Sequence, residues 1–311
     1  MDSQIKFSIL IPAYKDKYLY ECISSVLNQT YNSFEIIIVD DASPYDLQSI
    51  VNRFSDSRIR FFRNKVGFGG RDVVKNWNEC LKYATGQYTM CIGDDDKLLP
   101  NCLSDYIELI EKHPGLNLYH MRTEIINEKS EVIDIQEARP SYESALSLLF
   151  HRIRGRIQFI GDFLFDTNFL LDNNGFVEIP SGCCSDDITA IKAASVRGVA
   201  NTYIPGFQYR DNSQTLSRRS DNMKLKLEAF SIAKKWYDQF LLTQKPNSDL
   251  DILYKKMIQR EIGGYIYKNS MYCVKIDVQV GGIKSAWFWL LNRKSFQLNP
   301  FYVIRCLFNN K

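Results

Sequence analysis

At 311 residues with a net charge of +3, the chain is long enough for one large domain or two modest ones with a sizeable core. Its apolar and charged fractions, 45% and 24%, are those of a soluble globular protein. The charge is too small to argue for nucleic acid, and no basic run with interleaved aromatics tracks a strand. Eight cysteines (Cys22, Cys80, Cys91, Cys102, Cys183, Cys184, Cys273 and Cys306) show neither CxxC nor Cys/His spacing. They predict buried free thiols in a reducing compartment, hence a cytoplasmic location. Asp2 and Lys6 lead straight into a strand and do not read as a signal peptide. No apolar run approaches the length of a bilayer span.

Lys6 to Ile11 is a continuous apolar strand that Pro12 is expected to stop. Leu19, Cys22, Ile23, Val26 and Leu27 then recur at helical spacing. Phe34 to Val39 is a second buried strand, running into Asp40, Asp41, Ala42 and Ser43. Ser43 and Pro44 read as a helix N-cap and first turn, with Leu47, Ile50, Val51 and Phe54 on one face. Ile59 to Phe62 is a third strand. Val73, Val74, Trp77, Cys80, Leu81 and Ala84 mark a helix that Gly86 is expected to end. Gln87 to Ile92 is a fourth strand. Strands alternating with helices imply a mostly parallel sheet covered on both faces, with ligands at the carboxyl ends of the strands. The turn Pro12-Ala13-Tyr14-Lys15-Asp16 has no glycine, which argues against a dehydrogenase-like dinucleotide site. Gly67, Gly69 and Gly70 read as a flexible loop.

The fourth strand runs into Gly93-Asp94-Asp95-Asp96, with Lys97 to Pro100 and a helix to follow. Three adjacent carboxylates past a buried strand repel one another unless a cation or donors sit among them. Hard oxygen ligands suit Mg²⁺ or Mn²⁺, bound through one or two carboxylates with substrate phosphates completing the shell. Taken alone, the triplet reads first as a solvated acidic turn with an Asp cap on the next helix, a reading that its neighbours in the sequence overturn. Asp40 and Asp41 also fall just past a strand end, so the fold should bring all five carboxylates to one rim.

Ser8 to Tyr14, Ser24 to Tyr31 and Glu35 to Ser43 closely resemble the opening of inverting family 2 glycosyltransferases. Asn64 to Gly67, Asn78 followed by Ala84 to Tyr88, and Asp95 to Pro100 continue that pattern in order and at family spacing. The resemblance implies a GT-A fold, a nucleotide-sugar donor with UDP the best guess, and Mn²⁺ or Mg²⁺. It implies that Pro12, Ala13, Tyr14, Asp40 and Asp41 hold the nucleoside, with Asp40 or Asp41 on the base. Asn64, Gly67, Arg71, Asn78 and Asp94 are implied to line the same donor site. The commonest family form of the acidic motif is Asp-x-Asp-Asp; Gly93 stands at its first position here, and the metal ligands implied are Asp95 and Asp96.

The middle of the chain is more divergent. Leu116 to Met121 and Val132 to Ile135 read as strands, and Ser141 to Phe150 as a helix. His151 to Arg156 is a basic cluster: a solvated helix end, or a contact to a phosphate of donor or acceptor. Phe163 to Val177 resembles the family segment that precedes the catalytic base. Asp186 and Asp187 open the next helix where the family has Glu-Asp, which implies Asp187 as base; a capping role would give the same pair. Tyr209 to Ser213 resembles a loop that often carries a histidine, a place held here by Asn212 or its neighbours, so no metal role is transferred. His113, His120 and His151 are scattered and form no metal site.

From about Asp221 the pattern is helical: Leu225 to Phe240, then Leu253 to Ile266. Beyond Asp277 no acidic residue occurs, and Lys284, Arg293, Lys294, Arg305 and Lys311 mingle with Trp287, Trp289, Phe301 and Tyr302. Such a tail suits either an anionic bilayer surface or packing on the catalytic domain or a second subunit. The sequence thus reads as an α/β GT-A domain over residues 1–220, with a nucleotide-binding half 1–100, an acceptor half 101–220 and a helical extension 221–311. The expected activity is metal-dependent inverting sugar transfer to a saccharide acceptor, lipid-linked, in bacterial surface-polysaccharide assembly on the cytoplasmic face. A nucleotidyltransferase would show a Gly-rich, Arg-containing loop after the first strand, and a non-catalytic binding module could dispense with Asp95, Asp96 and Asp187.

Overall fold

The structure is a computed structural model that describes residues 4–212, 222–296 and 298–308. Asp2, Ser213, Asp221 and Lys311 lie outside the described residues. The first hundred residues build β1 (Phe7–Ala13), α1 (Leu19–Leu27), β2 (Phe34–Asp40), α2 (Leu47–Val51), β3 (Ile59–Arg63), α3 (Val73–Leu81), β4 (Tyr88–Cys91) and β5 (Lys97–Leu98). The next hundred add α4 (Cys102–Lys112), β6 (Leu118–Ile126), β7 (Val132–Ile135), β8 (Tyr142–Glu143), α5 (Ala145–Ile153), β9 (Phe163–Asp166), α6 (Thr167–Asp172), α7 (Ser185–Arg197) and β10 (Val199–Arg210). Among the described residues the sheet order is β3-β2-β1-β4-β9-β6-β10-β5, with β7 on β6 and β8 on β10. The β3-β2-β1-β4 block is parallel, as is β6 with β10, and β9 runs antiparallel between β4 and β6.

Strand periodicity assigns the two faces. Phe7, Ile9, Ile11, Ile36 and Ile38 pack with α1, α2 and α4, while Leu10, Ile37 and Val39 face α3, α5 and α7. The second core continues without a break into α8 (Met223–Thr243), α9 (Asp249–Leu291) and α10 (Pro300–Cys306), through Phe230, Tyr237, Val274 and Trp289. The α9 helix is much longer than the stretch read from sequence, and its backbone turns at Gly282 (φ 59°, ψ −142°). Among the described residues no helix is long and apolar enough to cross a membrane. All eight cysteines are free thiols, and all but the half-buried Cys183 are buried.

Three local expectations change. Pro12 does not stop β1, which runs through it to Ala13. The last rung to β4 is Ile92 N–H to Leu10 O at 2.9 Å, so the edge that Pro12 would serve has no further partner strand and the missing N–H costs little. Ser43 is not the cap of α2: Asp46 takes that place, its carboxylate accepting Ser49 N–H at 3.1 Å, and Ser43 is free to bind β1 instead. Gly86 does not end α3, which closes at Leu81. It lets the chain pass against β1, where a Cβ would lie 2.6 Å from Lys6 O and 2.8 Å from Ser8 N. Gly86→Ala is therefore expected to destabilise the fold by about 1–3 kcal/mol or more through overpacking against rigid backbone, read as a lower midpoint in urea unfolding with an unchanged slope.

Candidate functional site

The carboxyl ends of β1, β2, β3 and β4 meet at one rim, and hydrogen bonds lace them together. Asp41 N–H donates to Ala13 O (2.9 Å), Ser43 Oγ–H to Tyr14 O (2.6 Å), and Asn64 N–H to Asp40 O (2.9 Å). Asp94 Oδ2 accepts the backbone N–H groups of Tyr14 (2.8 Å) and Lys15 (2.6 Å), which fixes β4's end to β1's. The two aspartates of β2 differ. Asp40 is fully buried, accepting Ser43 N–H and pairing with Arg63. Asp41 accepts Asn64 Nδ2–H (3.0 Å), Phe68 N–H (2.8 Å) and Gly69 N–H (3.1 Å). The loop read as flexible is thus docked on Asp41, and a Cβ on Gly67 would lie 2.5 Å from Asp41 O.

The acidic triplet divides its work in the same way. Asp96 holds backbone, accepting Gly93 N–H and Arg210 N–H, each at 3.0 Å. Asp95 turns to side chains: Lys15 Nζ at 2.5 Å and Asn212 Nδ2 at 2.8 Å, with Lys15 Nζ also 3.4 Å from Asp94 Oδ1. Burial and the charge of Asp95 raise the Asp96 carboxyl to about 8. Arg210 lies fully buried beneath, donating to Asp95 O (2.7 Å) and pairing with Glu21 (2.8 Å). Cys22 Sγ–H approaches Gly93 O at 3.5 Å from below. The triplet does not cap a helix: β5 intervenes, and α4 begins at Cys102.

Asp186 and Asp187 sit in the first turn of α7, after two non-glycine residues with left-handed backbone, Ser181 (φ 60°) and Cys184 (φ 68°). Such strain persists where surrounding structure enforces it, and it concentrates at working sites. Ser181 N–H donates to Arg71 O at 2.7 Å, tying this lead-in to the loop that Asp41 holds. Asp187 is only 1% exposed. Its Oδ1 accepts Arg152 Nε–H (2.6 Å) and Gln158 Nε2–H (2.7 Å), while its buried Oδ2 has no partner among the described residues. Asp186 is half-buried, and burial, then the Asp187 charge, raises its carboxyl to about 7.

A sheet of this order with two carboxylate clusters beyond its strand ends finds its counterpart among known proteins. The model for "Glycosyl transferase family 2" matches residues 8–171, more than half of the chain. The chain belongs to glycosyl transferase family 2. One family relative, the UDP-Glc:alpha-D-GlcNAc-diphosphoundecaprenol beta-1,3-glucosyltransferase WfgD of Escherichia coli, is 34% identical over 40% of this chain and 48% of its own. The GalNAc(5)-diNAcBac-PP-undecaprenol beta-1,3-glucosyltransferase of Campylobacter jejuni is 35% identical over 33% of this chain and 34% of its own. The match spans about half or less of these relatives' length. Residues 1–349 of S. aureus TarS, solved with UDP-GlcNAc, superimpose with a TM-score of 0.67 over 97% of this chain and 89% of that one, at 16% identity. The mannosyltransferase PcManGT of Pyrobaculum calidifontis, solved with GDP-Man and Mn²⁺, gives 0.55 over 99% and 88%, at 14% identity. The fold shared with these structures is GT-A.

Of the family positions singled out in sequence, the structure gathers Pro12, Ala13, Tyr14, Asp40, Asp41, Asn64, Gly67 and the triplet at one rim. Arg71 reaches outward to Glu228 (3.0 Å). Asn78 is engaged elsewhere: its amide brackets the Phe176 backbone, donating to Phe176 O (3.0 Å) and accepting Phe176 N–H (2.8 Å). The basic cluster divides: Arg154 is exposed and paired with Glu261, whereas Arg152 reaches in to Asp187 and Arg156 to Glu143. Lys15 and Gln158 are not read as site residues from the sequence, and Arg152 is read there only within the basic cluster, as a solvated or phosphate-binding residue and not as a partner of Asp187. Lys15 stands directly after the Pro-Ala-Tyr motif, the one signal that marked it; the reach of Arg152 and Gln158 to Asp187 depends on pairing across α5 and α7.

The triplet can take a divalent ion. Lys15 Nζ is a cation already seated on Asp94 and Asp95, and the Cβ that Gly93 lacks would fall 2.9 Å from both Asp95 Oδ1 and Asp96 Oδ2. A side chain at that position would require both carboxylates to shift from the places they hold here. Among the described residues no three His, Cys, Asp or Glu side chains form a complete metal cage. An ion at the triplet would therefore rest on one or two carboxylates, with phosphate oxygens needed to complete its shell.

Proposed function

We propose that the chain transfers a sugar from a nucleotide-sugar donor, a UDP-sugar, to a saccharide hydroxyl on a lipid-linked carrier, with inversion, in surface-polysaccharide assembly at the cytoplasmic face of the membrane. One observation carries the reading: a run of hydrogen bonds leads from the acidic triplet through Tyr14 and Ser43 to the Asp41 segment, and on through the Phe68–Arg71 loop to the lead-in of Asp187. The names of the relatives support the donor and acceptor classes: UDP-Glc and a diphosphoundecaprenol acceptor in the Escherichia coli protein, UDP-GlcNAc in TarS.

In this mechanism Tyr14 and Asp41 flank the nucleoside, with Pro12, Ala13, Asn64 and Gly67 shaping the floor. Of the β2 pair, Asp41 is the carboxylate for the base, because Asp40 is fully buried on Arg63. Mn²⁺ or Mg²⁺ on Asp95 and Asp96 would neutralise charge on the departing diphosphate. Asp187 accepts the acceptor hydroxyl's proton on Oδ2 while the hydroxyl oxygen bonds to the anomeric carbon and the bond from that carbon to the diphosphate breaks. The catalytic part is assigned to residues 1–220. A thermal-stability screen of UDP-, GDP- and dTDP-sugars with Mn²⁺ tests the donor: at a hundredfold excess over Kd a true donor adds about 2.7 kcal/mol. No stabilisation by any of them overturns the reading.

The C-terminal tail is proposed to meet an anionic membrane surface. It packs through Trp289 and Val303, yet leaves Val280, Ile283, Trp287 (63% exposed) and Leu291 bare along the last turns of α9, and Phe301 (80%), Ile304 and Phe308 on and after α10. Burying such side chains is worth about 1.5–3 kcal/mol each. The full-length protein is expected to co-sediment with anionic vesicles and to be released by salt. Trp287→Ser with Phe301→Ser should abolish sedimentation without unfolding the chain; a parent protein that stays in the supernatant removes the membrane contact.

A further inference from the structure

A cleft of about 380 Å³ opens between the end of α5 and the middle of α9. Three cations line it, Arg152, Arg154 and Lys268, against one carboxylate, Glu261, with Tyr265 on the α9 wall. We propose that this cleft is an acceptor subsite that binds the diphosphate linking the acceptor saccharide to its lipid carrier. The proposal rests on the transferase reading above and names where the acceptor's anion is held.

Charge is the first argument. Guanidinium groups recognise phosphate oxygens through paired N–H donors; with Arg152 set against Asp187 and Arg154 against Glu261, Lys268 supplies the excess positive charge of the lining. Arg152 spends Nε on Asp187 and Nη1 on Arg156 O (3.1 Å), and also lines the cleft. A phosphate bound there therefore sits one guanidinium from the carboxylate that takes the acceptor's proton. Arg154 is held over the cleft by Glu261, at 2.6 Å.

The second argument is the backbone. Gly263 and Gly264 stand together inside a long helix, where each glycine costs about 0.5–1 kcal/mol relative to Ala. Packing does not demand them, because a Cβ on either would meet nothing within 4 Å. Gly264 lines the cleft, and Gly155 (φ +109°) lines it opposite, also with nothing within 4 Å of a Cβ. Small residues on both walls keep the space open. The third argument is direction. From Gly264 the helix runs on to Gly282, a rise of about 27 Å, where its backbone turns and the exposed Ile283 and Trp287 follow. In this arrangement the saccharide lies at Asp187, the diphosphate in the cleft, and the isoprenoid chain leaves along α9 toward its exposed apolar end.

The test is calorimetry of the full chain in EDTA with farnesyl diphosphate, inorganic pyrophosphate and short-chain phosphatidylglycerol as separate probes. Farnesyl diphosphate is expected to bind the parent, with pyrophosphate binding the same cleft more weakly. Lys268→Gln should weaken both about tenfold, the loss of one charge-assisted contact. Gly264→Leu should abolish both by filling the cleft, while the better helix former keeps the fold intact by circular dichroism. UDP binding with Mn²⁺ should be unchanged in both variants. Parent-like diphosphate affinity in both variants overturns the proposal, as does phosphatidylglycerol binding as well as farnesyl diphosphate, which would make the cleft a headgroup site. Either result with UDP still bound leaves the transferase reading intact; a parent that binds no UDP fails that reading instead.

Discussion

Asp187→Asn is expected to fold, to bind nucleotide and divalent ion like the parent, and to transfer sugar about 10²- to 10⁴-fold more slowly, the usual loss on removing a general base. The fold should survive, though melting somewhat earlier, because Asn keeps the oxygen that accepts from Arg152 and Gln158 but loses the charge paired with Arg152. What changes is Oδ2, the buried oxygen without a protein partner, which becomes an amide nitrogen that cannot accept a proton. Asp186→Asn should retain most activity, since a first-turn carboxylate is worth only about 0.3–1 kcal/mol of helix stability. Adjacent helical residues point about 100° apart, so only one of the pair can face the acceptor.

The same pair makes a pH prediction. Burial and the Asp187 charge raise Asp186 to about 7, with the more distant Asp162 adding to the shift and Arg152 opposing it. A carboxyl raised above its unfolded value contributes stability that is present at low pH and lost as pH rises through the folded value. The parent should therefore lose stability between about pH 4 and 7 at this group, and Asp186→Asn should flatten that slope in melts across the range. An inactive Asp186→Asn beside an active Asp187→Asn would exchange the two roles. Activity in both would move the base elsewhere in the middle of the chain.

Asp95→Asn is expected to remove the metal-linked part of donor binding. Calorimetry of UDP should show the parent binding far more tightly with Mn²⁺ than in EDTA, because carboxylates cannot hold a diphosphate without a cation between them. The variant should give the weak EDTA affinity in both conditions. Asp96→Asn should act differently: Asp96 accepts two backbone N–H groups, and turning an amide nitrogen toward one of them costs about 1–3 kcal/mol of stability. It should melt earlier as well as lose metal-dependent UDP binding. Equal UDP affinity in parent and variants, with and without Mn²⁺, would take the triplet out of the donor site.

The parallel sheet and its rim were legible because unbroken runs such as Phe34 to Val39 belong to strands buried on both faces, and the carboxylates that follow have nowhere to lie but the strand ends. The errors were local and share a cause. Pro12, Ser43 and Gly86 were read by intrinsic preference, whereas each is set by a neighbour distant in sequence: the end of the β4 ladder, the Tyr14 carbonyl, the Lys6 backbone. The surroundings of Asp187 were hidden for the same reason, since Arg152 and Gln158 reach it across 35 and 29 residues. Length also misled in α9, where weak periodicity concealed a helical run from Asp249 to Leu291 that turns at Gly282.

The thiol beneath the acidic triplet has a practical consequence. Cys22 is fully buried, and burial together with the carboxylates of Asp96, Asp94 and Asp95 holds its pKa far above the ordinary thiol range. An alkylating reagent can reach it only when the end of β4 lifts away from α1, because the thiolate is the reactive form and the native site disfavours it. The rate of Cys22 carboxymethylation, followed peptide by peptide in a mass spectrometer, is thus a clock for the breathing of the donor rim. A nucleotide and ion that clamp the triplet should slow that clock, which makes an endogenous chemical probe of occupancy that requires neither acceptor nor turnover.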